Sequence, residues 1–411
     1  MAMKAMPSFL MEQTAHALGD AVRPSGLVEL SWHFDDDGED QRDQALSFDF
    51  RLIDEDWIRS FGLPLPRNDK HAQAYGFILL QAFFLAQEST EHWISYSRRK
   101  EWYTRRQRYR HPACSFATVP DVVDGLTSLG LLEHDKAYPG RWGKQSRFRA
   151  APALQRVSPP AAIWEPYELI RLRNKDKDLI NYRDTKDTIR MHRTIKYLNK
   201  MLCRASITIR ESAITDQQEQ LATISTPNGK IIVNLALNKL YRVFNNSSFD
   251  FGGRFYGPFW QNLPKSIRAM LLIDGEAVNE RDYRQLHPKL LYAQVGVTLE
   301  DKDDAYTIDG VIRRLAKRGF NIAINAETKL AAIRALALEI RGEGAHAKAC
   351  DLLDVLVTKH VRIASYFGSG AGLRLQRHDA DLAERVMLEL VKRGIIVLPV
   401  HDSFIVQRRH A

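Results

Sequence analysis

The chain has 411 residues, 45% of them hydrophobic and 27% charged, long enough for two or three domains with cores of their own. Lys and Arg number 59 against 50 Asp and Glu, and this net charge of +9 is compatible with a polyanionic partner without requiring one. Cys114, Cys203 and Cys350 lie too far apart in sequence for a disulfide framework or a CxxC zinc site, and no signal-type leader or 18-residue apolar run is visible, so the expectation is a cytoplasmic protein with no membrane span.

Residues 1–75 are mixed in composition, with an acidic knot at 35–40 that reads as a solvated turn. FILLQAFFLAQ (77–87) reads as a buried helix. Next, SRRKEWYTRRQRYR (97–110) holds seven Arg or Lys and one Glu, with Trp102, Tyr103 and Tyr109 interleaved. Cations neutralise phosphates and aromatic faces stack on bases, so this mixture suits nucleic acid, with Arg105 and Arg106 as candidate contacts. A solvated basic face with its aromatics turned inward gives the same pattern. Residues 119–154 predict a short helix ending at Gly130, a strand at 131–134, a Pro-Gly tip and a second strand carrying Arg147 and Arg149. Helix followed by a basic two-stranded wing resembles winged-helix DNA-binding domains over 76–154. The resemblance adds Arg147 to the candidate contacts, although winged helices also serve as protein-contact modules.

The Pro-rich segment QRVSPPAAIWEP (155–166) reads as a linker. Within 167–207, Met191, Ile195, Leu198 and Leu202 form one apolar stripe, and Arg190, Arg193, Lys196 and Lys200 lie off it. That suits a thumb-like helix against a duplex, and an ordinary surface helix nearly as well. From about residue 208 strands alternate with helices. The expected fold class is α+β. Its expected units are an N-terminal region (1–75), a winged-helix-like basic module (76–157), a mainly helical thumb-like connector (158–240) and a catalytic unit (241–411).

Four blocks between residues 250 and 406 carry the chemistry: DFGGRFY (250–256), ERDYRQLHP (280–288), RRLAKRGFNIAINA (313–326) and VLPVHDSFIV (397–406). Phosphoryl transfer from a nucleoside triphosphate uses two divalent cations about 4 Å apart, one activating the attacking hydroxyl and one steadying the pyrophosphate. Mg²⁺ takes oxygen ligands and keeps several waters, so two carboxylates and a backbone carbonyl suffice. Asp282, at a strand end entering a helix, and Asp402, at the tip of an apolar hairpin, can supply the carboxylates, although turn chemistry alone also explains Asp402. Arg313 and Lys317 stand four apart, so a helix turns both to one side, where they can grip phosphates or simply meet solvent.

RRLAK with its apolar continuation is similar to motif B of family A DNA polymerases. DFGGR resembles the DxxGR motif of phage-type single-subunit RNA polymerases, and HDSF resembles their motif C. DYRQLHP resembles motif A, with an ending also similar to family B DNA polymerases. Together the four imply a right-hand polymerase palm and fingers, an antiparallel sheet with helices, over residues 250–404. The resemblance implies that Asp282, Asp402 and the Tyr283 carbonyl hold Mg²⁺ or Mn²⁺, and that Arg313 and Lys317 bind the triphosphate, with Lys317 protonating the pyrophosphate. Arg254, in the block opened by Asp250, would meet the template or primer backbone, and His401 the primer terminus. His287 would sense the nucleotide's 2′-carbon, with Asn325 as a second candidate partner for a hydroxyl. Where motif B of the family ends in Tyr-Gly, this chain has Asn325-Ala326, and Arg313 follows Asp282 by 31 positions, so small fingers are expected.

The leading expectation is thus a template-directed polymerase acting on DNA template, primer and nucleoside triphosphates, with replication proteins as further candidate partners. DNA synthesis is slightly favoured, and no proofreading exonuclease is expected. A single-subunit RNA polymerase or primase, a DNA-binding replication initiator with an inactive polymerase-like half, and a metal-dependent nuclease are the alternatives. Plasmid or prophage replication, priming, repair and defence all stay open as roles.

Overall fold

The computed structural model describes residues 43–47, 49–52, 55–62, 69–137, 145–227 and 229–411; the acidic knot and the Pro-Gly tip lie outside them. The N-terminal part contains β1 (Asp43–Ala45), β2 (Phe50–Leu52), α1 (Glu55–Arg59), α2 (Asp69–Glu88), β3 (Trp93–Tyr96), α3 (Lys100–Arg105), α4 (Val119–Ser128), β4 (Leu132–Asp135), β5 (Ser146–Ala150) and α5 (Pro152–Gln155). Helix α2 is apolar on most sides because it is the centre of this part: Ile78, Leu79, Leu80 and Phe83 are buried against Ile94, Val123, Leu126 and Phe148. Gly130 ends α4 at φ 71°, where Leu131 N–H returns to the Leu126 carbonyl, a left-handed stop that glycine adopts without strain. The strands are ordered β1-β3-β5-β4, with β1 parallel to β3 and the rest antiparallel. Since β1 and the start of α2 precede residue 76, the expected module boundary there falls inside one folded unit.

The segment expected to be a linker is tied down. Within it, β6 (Ala162–Trp164) pairs with β2, and Trp164 is buried in the core of the C-terminal body. Beyond it come β7 (Ile170–Leu172) and α6 (Lys186–Leu202), opened by a Thr185–Thr188 capping box. The expected stripe of Met191, Ile195, Leu198 and Leu202 is buried. Then follow β8 (Ile207–Ile209), β9 (Ile214–Gln218), β10 (Leu221–Thr226) and β11 (Gly229–Asn234), the last three forming an antiparallel sheet. Among the described residues, 158–240 therefore holds one long helix and six strands, not the mainly helical connector expected. These strands are three to six residues long, too short to outweigh the helical pattern beside them.

The C-terminal body adds β12 (Tyr241–Phe244), β13 (Gly252–Tyr256), α7 (Lys265–Arg268), β14 (Leu271–Ile273), β15 (Glu276–Asp282), α8 (Leu286–Gln294), α9 (Arg313–Asn325), α10 (Lys329–Ile340), α11 (Ala345–Lys359), α12 (Gly372–Lys392), β16 (Val397–Val400) and β17 (Ser403–Gln407). One sheet runs β13-β12-β7, with β7 parallel to β12; the other is antiparallel throughout, in the order β16-β17-β15-β14-β8. Pro399 is tolerated in β16 because that strand is the edge. Helix α12 packs on β13 and β16 and joins α6 over one continuous core. Helices α8 to α11 form a lobe with a second core around Phe320, Leu336, Leu352 and Leu356. The class is α+β with antiparallel sheets. Strands β7 and β8 enter the two sheets of this body, so its border lies well before the expected residue 241. No described helix is long and apolar enough to cross a membrane.

Candidate active site

The β15–β17 register places Asp282 opposite Ser403, and β16 pairs Val400 with the same Ser403. The hairpin therefore closes over His401 and Asp402 alone, with His401 taking φ 55°. A 3.5 Å contact from Tyr283 N–H to the Asp402 carbonyl extends the ladder one step. Asp282 and Asp402 thus stand at the same end of neighbouring strands. Partial burial, and then the Asp402 charge, push the Asp282 carboxyl above its ordinary range, while Lys317 and Lys265 draw it down. A like-charge pair of this kind is the electrostatic form of a site suited to a divalent cation. Asp282 is exposed, leaving room for metal-bound water, and the exposed Tyr283 stacks edge-on against Phe404.

Sequence reasoning passed over a third carboxylate. Glu280 accepts two hydrogen bonds from Arg268, at 2.9 and 2.8 Å, and a third from the Ser403 hydroxyl at 2.9 Å. It braces the hairpin beside Asp402 while its charge is met by Arg268. Among the described residues no cluster of three or more His, Cys, Asp or Glu suited to a metal is found, so the candidate ligand set is the Asp282–Asp402 pair.

Helix α9 carries both expected cations, exposed and one turn apart. They differ in commitment. Arg313 forks onto Asp304 at 2.5 and 3.2 Å, and that contact pulls the Asp304 carboxyl down to about 2. Lys317 makes no ion pair among the described residues, and its charge is felt by Asp282. Both lie near the Tyr306 ring, at 5.5 and 5.9 Å. The expected two-pronged clamp is thus reduced in this structure to one uncommitted prong. Asn325 ends the helix, donating to the Asn321 carbonyl and filling the space over Gly372, where any side chain would collide with it. It makes no hydrogen bond with His287.

Arg254, on β13, was expected to reach a nucleic-acid backbone; its guanidinium is held by Asp379, through Nε at 3.1–3.2 Å and Nη2 at 2.5 Å. His287 Nε2 meets the same Asp379 Oδ2 at 3.0 Å. Burial would raise the Asp379 carboxyl, and the bonds from His287 and Arg254 outweigh it and hold it low. Sequence reasoning missed Asp379, although a signal existed: an Asp set among Leu375, Ala380 and Ala383 on the buried stripe of α12. Farther along α12, Glu384 pairs with the fully buried Arg242 at 2.5 Å and with Arg190 at 2.5 Å. The His401 ring lies edge-on to Tyr256 at 5.7 Å. Asp250 is exposed and shapes the turn before β13 by hydrogen bonds with Ser248.

In the N-terminal part the structure corrects the reading of two arginines as open phosphate contacts. Arg106 pairs with Asp178 at 2.6 Å over the Trp102 ring, and Arg147 pairs with Asp135 at 3.0 Å and Asp43 at 3.2 Å over Trp93. Arg105 stays exposed, its carbonyl accepting from Asn181. Helix α4 carries Asp121 and Asp124 and no Lys or Arg, which does not complement a phosphate-lined groove. A scan of protein-family models, a search of curated proteins and a search of solved structures each found no match to this chain.

Proposed function

We propose that this chain is a template-directed nucleic-acid polymerase using two Mg²⁺ ions, or Mn²⁺, with DNA synthesis as its favoured reaction. The observation that carries the reading is the pair of carboxylates, Asp282 and Asp402, at one end of neighbouring strands β15 and β17, with the Lys317 charge reaching Asp282. In this reading the five-stranded sheet is the palm and the α8–α11 lobe the fingers. Asp282 and Asp402, with the Tyr283 carbonyl, would hold the metals, which supply an activated 3′-hydroxyl and a stabilised pyrophosphate when bound. Lys317 donates a proton from Nζ to the departing pyrophosphate, so its effect grows with the charge that develops there. Arg268, through Glu280 and Ser403, keeps the hairpin still while the metals exchange ligands.

The N-terminal part, with its order of helix, strand, two helices and hairpin, fits a winged-helix module. The paired arginines and the acidic α4 favour a protein partner for it, such as another replication protein, over duplex DNA.

The test is labelled primed and unprimed templates, of DNA and RNA, offered deoxynucleotides and ribonucleotides separately with Mg²⁺ or Mn²⁺. Extension by the parent, lost by about a thousandfold or more in Asp282→Asn and Asp402→Asn, is expected. No extension under any condition, or extension that survives both substitutions, sinks the reading. Shortening of the primer instead points to a nuclease.

A further inference from the structure

Asp379 is 2% exposed, belongs to neither carboxylate strand, and receives two side chains from different elements. We propose that it is a positioning residue for nucleotide choice: it holds the His287 ring still, making a rigid wall beside the carboxylate pair. The inference rests on the polymerase reading and names the sugar as what the wall screens.

The chemistry of the contact decides the state of the ring. An ionised carboxylate only accepts, so at 3.0 Å from Asp379 Oδ2 it is His287 Nε2 that carries the proton. Arg254 Nη2 also donates to Oδ2 and lies 3.4 Å from Nε2, so the carboxylate separates two donors that would otherwise face each other. The other ring nitrogen, Nδ1, makes no hydrogen bond in the protein. The backbone under the ring is pinned as well, because Leu286 and Pro288 on either side are buried in the first turn of α8. A short side chain pinned at its base and at its far end loses its rotamer freedom.

The wall is close to the proposed chemistry. His287 follows Asp282 by five residues, and Arg254, which shares the carboxylate, feels the Asp402 charge. A wall held in this way cannot swing aside for one added hydroxyl, so it favours deoxynucleotides; an unanchored ring could yield to a ribose. A counter-ion that merely neutralised the buried Arg254 would stabilise the fold without setting sugar choice.

The experiment uses the full chain, ¹⁵N-histidine spectra and steady-state primer extension. In the parent, His287 is expected as the Nε2–H tautomer over neutral pH, a readout that needs no catalysis. Asp379→Asn, checked for cooperative melting, should raise the ratio of ribonucleotide to deoxynucleotide kcat/KM about tenfold, the scale of one lost packing contact. That rise should come through the ribonucleotide KM, and Asp379→Glu should restore part of the parental ratio. An Nδ1–H tautomer in the parent overturns the proposal even if the Asn variant does not fold. A folded Asn variant with its ratio within about twofold of the parent overturns it too. In both of those cases the polymerase reading stands if the parent extends primers; a parent that extends none removes that reading, and the sugar choice with it.

Discussion

Lys317 and Asp282 bear on each other through charge, and each makes a separate prediction. In Lys317→Ala, kcat should fall by about a hundredfold or more while template affinity barely moves, because a proton donor to the leaving group acts mainly in the transition state. Equal losses in rate and affinity, measured by single-turnover extension and equilibrium binding, would mark Lys317 as a plain phosphate contact. Asp282 speaks through pH. Its carboxyl, pushed up by burial and by Asp402, binds a proton more tightly folded than unfolded. Ionising it therefore removes native stability as pH rises through the carboxylate range. Without divalent cations, Asp282→Asn should melt slightly above the parent at pH 7, by less than about 1 kcal/mol because the group is exposed. The gap should close at acidic pH, where the parental carboxyl is also neutral. Added Mg²⁺ should reverse the order at pH 7, since only the parent keeps both ligands. A parent more stable than the variant in metal-free buffer at pH 7 would refute the repulsion.

Helix α12 shows what an element can hide. Its surface pattern is that of an amphipathic helix, yet its buried side presents Asp379 and Glu384 to arginines on β12, β13 and α6. Burial draws the Arg242 guanidinium down to about 10, and Glu384 is the nearest charge opposing that pull. Glu384→Ala leaves Arg242 with only the 3.3 Å contact to Asp381, and should cost about 3 kcal/mol or more in urea unfolding. A loss under about 1 kcal/mol would mean that Asp381 and water suffice. Local pattern reached other elements directly: the stripe of α6, the α9 helix with its two cations, and the apolar hairpin interrupted at His401-Asp402 all form where spacing and turn chemistry place them.

At the scale of the whole molecule, net charge overstates the basic surface. Arg98, Arg106, Arg108, Arg147 and Arg149 all meet carboxylates at 3.0 Å or less, so the densest cationic segment of the sequence is largely neutralised within the fold. The exposed Lys196 and Lys200 of α6 have no acidic partner among the described residues. Removing a phosphate contact lowers the salt slope of duplex binding by about 0.9, so Lys196→Gln and Lys200→Gln should each reduce it by about that amount. Arg147→Gln should leave the slope unchanged and weaken the N-terminal part instead, by freeing Asp43 and Asp135. A slope that drops with Arg147 but not with the lysines would return the nucleic-acid interface to the wing.

By itself the sequence determined the local features: helices with an apolar stripe, the left-handed stop at Gly130, the hairpin that carries Asp402, and two carboxylates on neighbouring short elements of one block order. These depend on spacings of a few residues and on backbone preferences written into each segment. Partners far apart in the chain were decided only by the tertiary structure. Asp379 lies 125 residues from Arg254 and 92 from His287, and nothing local to any of the three tells which donor a buried carboxylate will meet. The same holds for β7 and β8, whose three residues acquire a sheet only when β12 and β14 come alongside. Short strands and buried charges gain their stability from neighbours supplied by the fold, and those neighbours decide which arginines stay open to a ligand and which are held inside the protein.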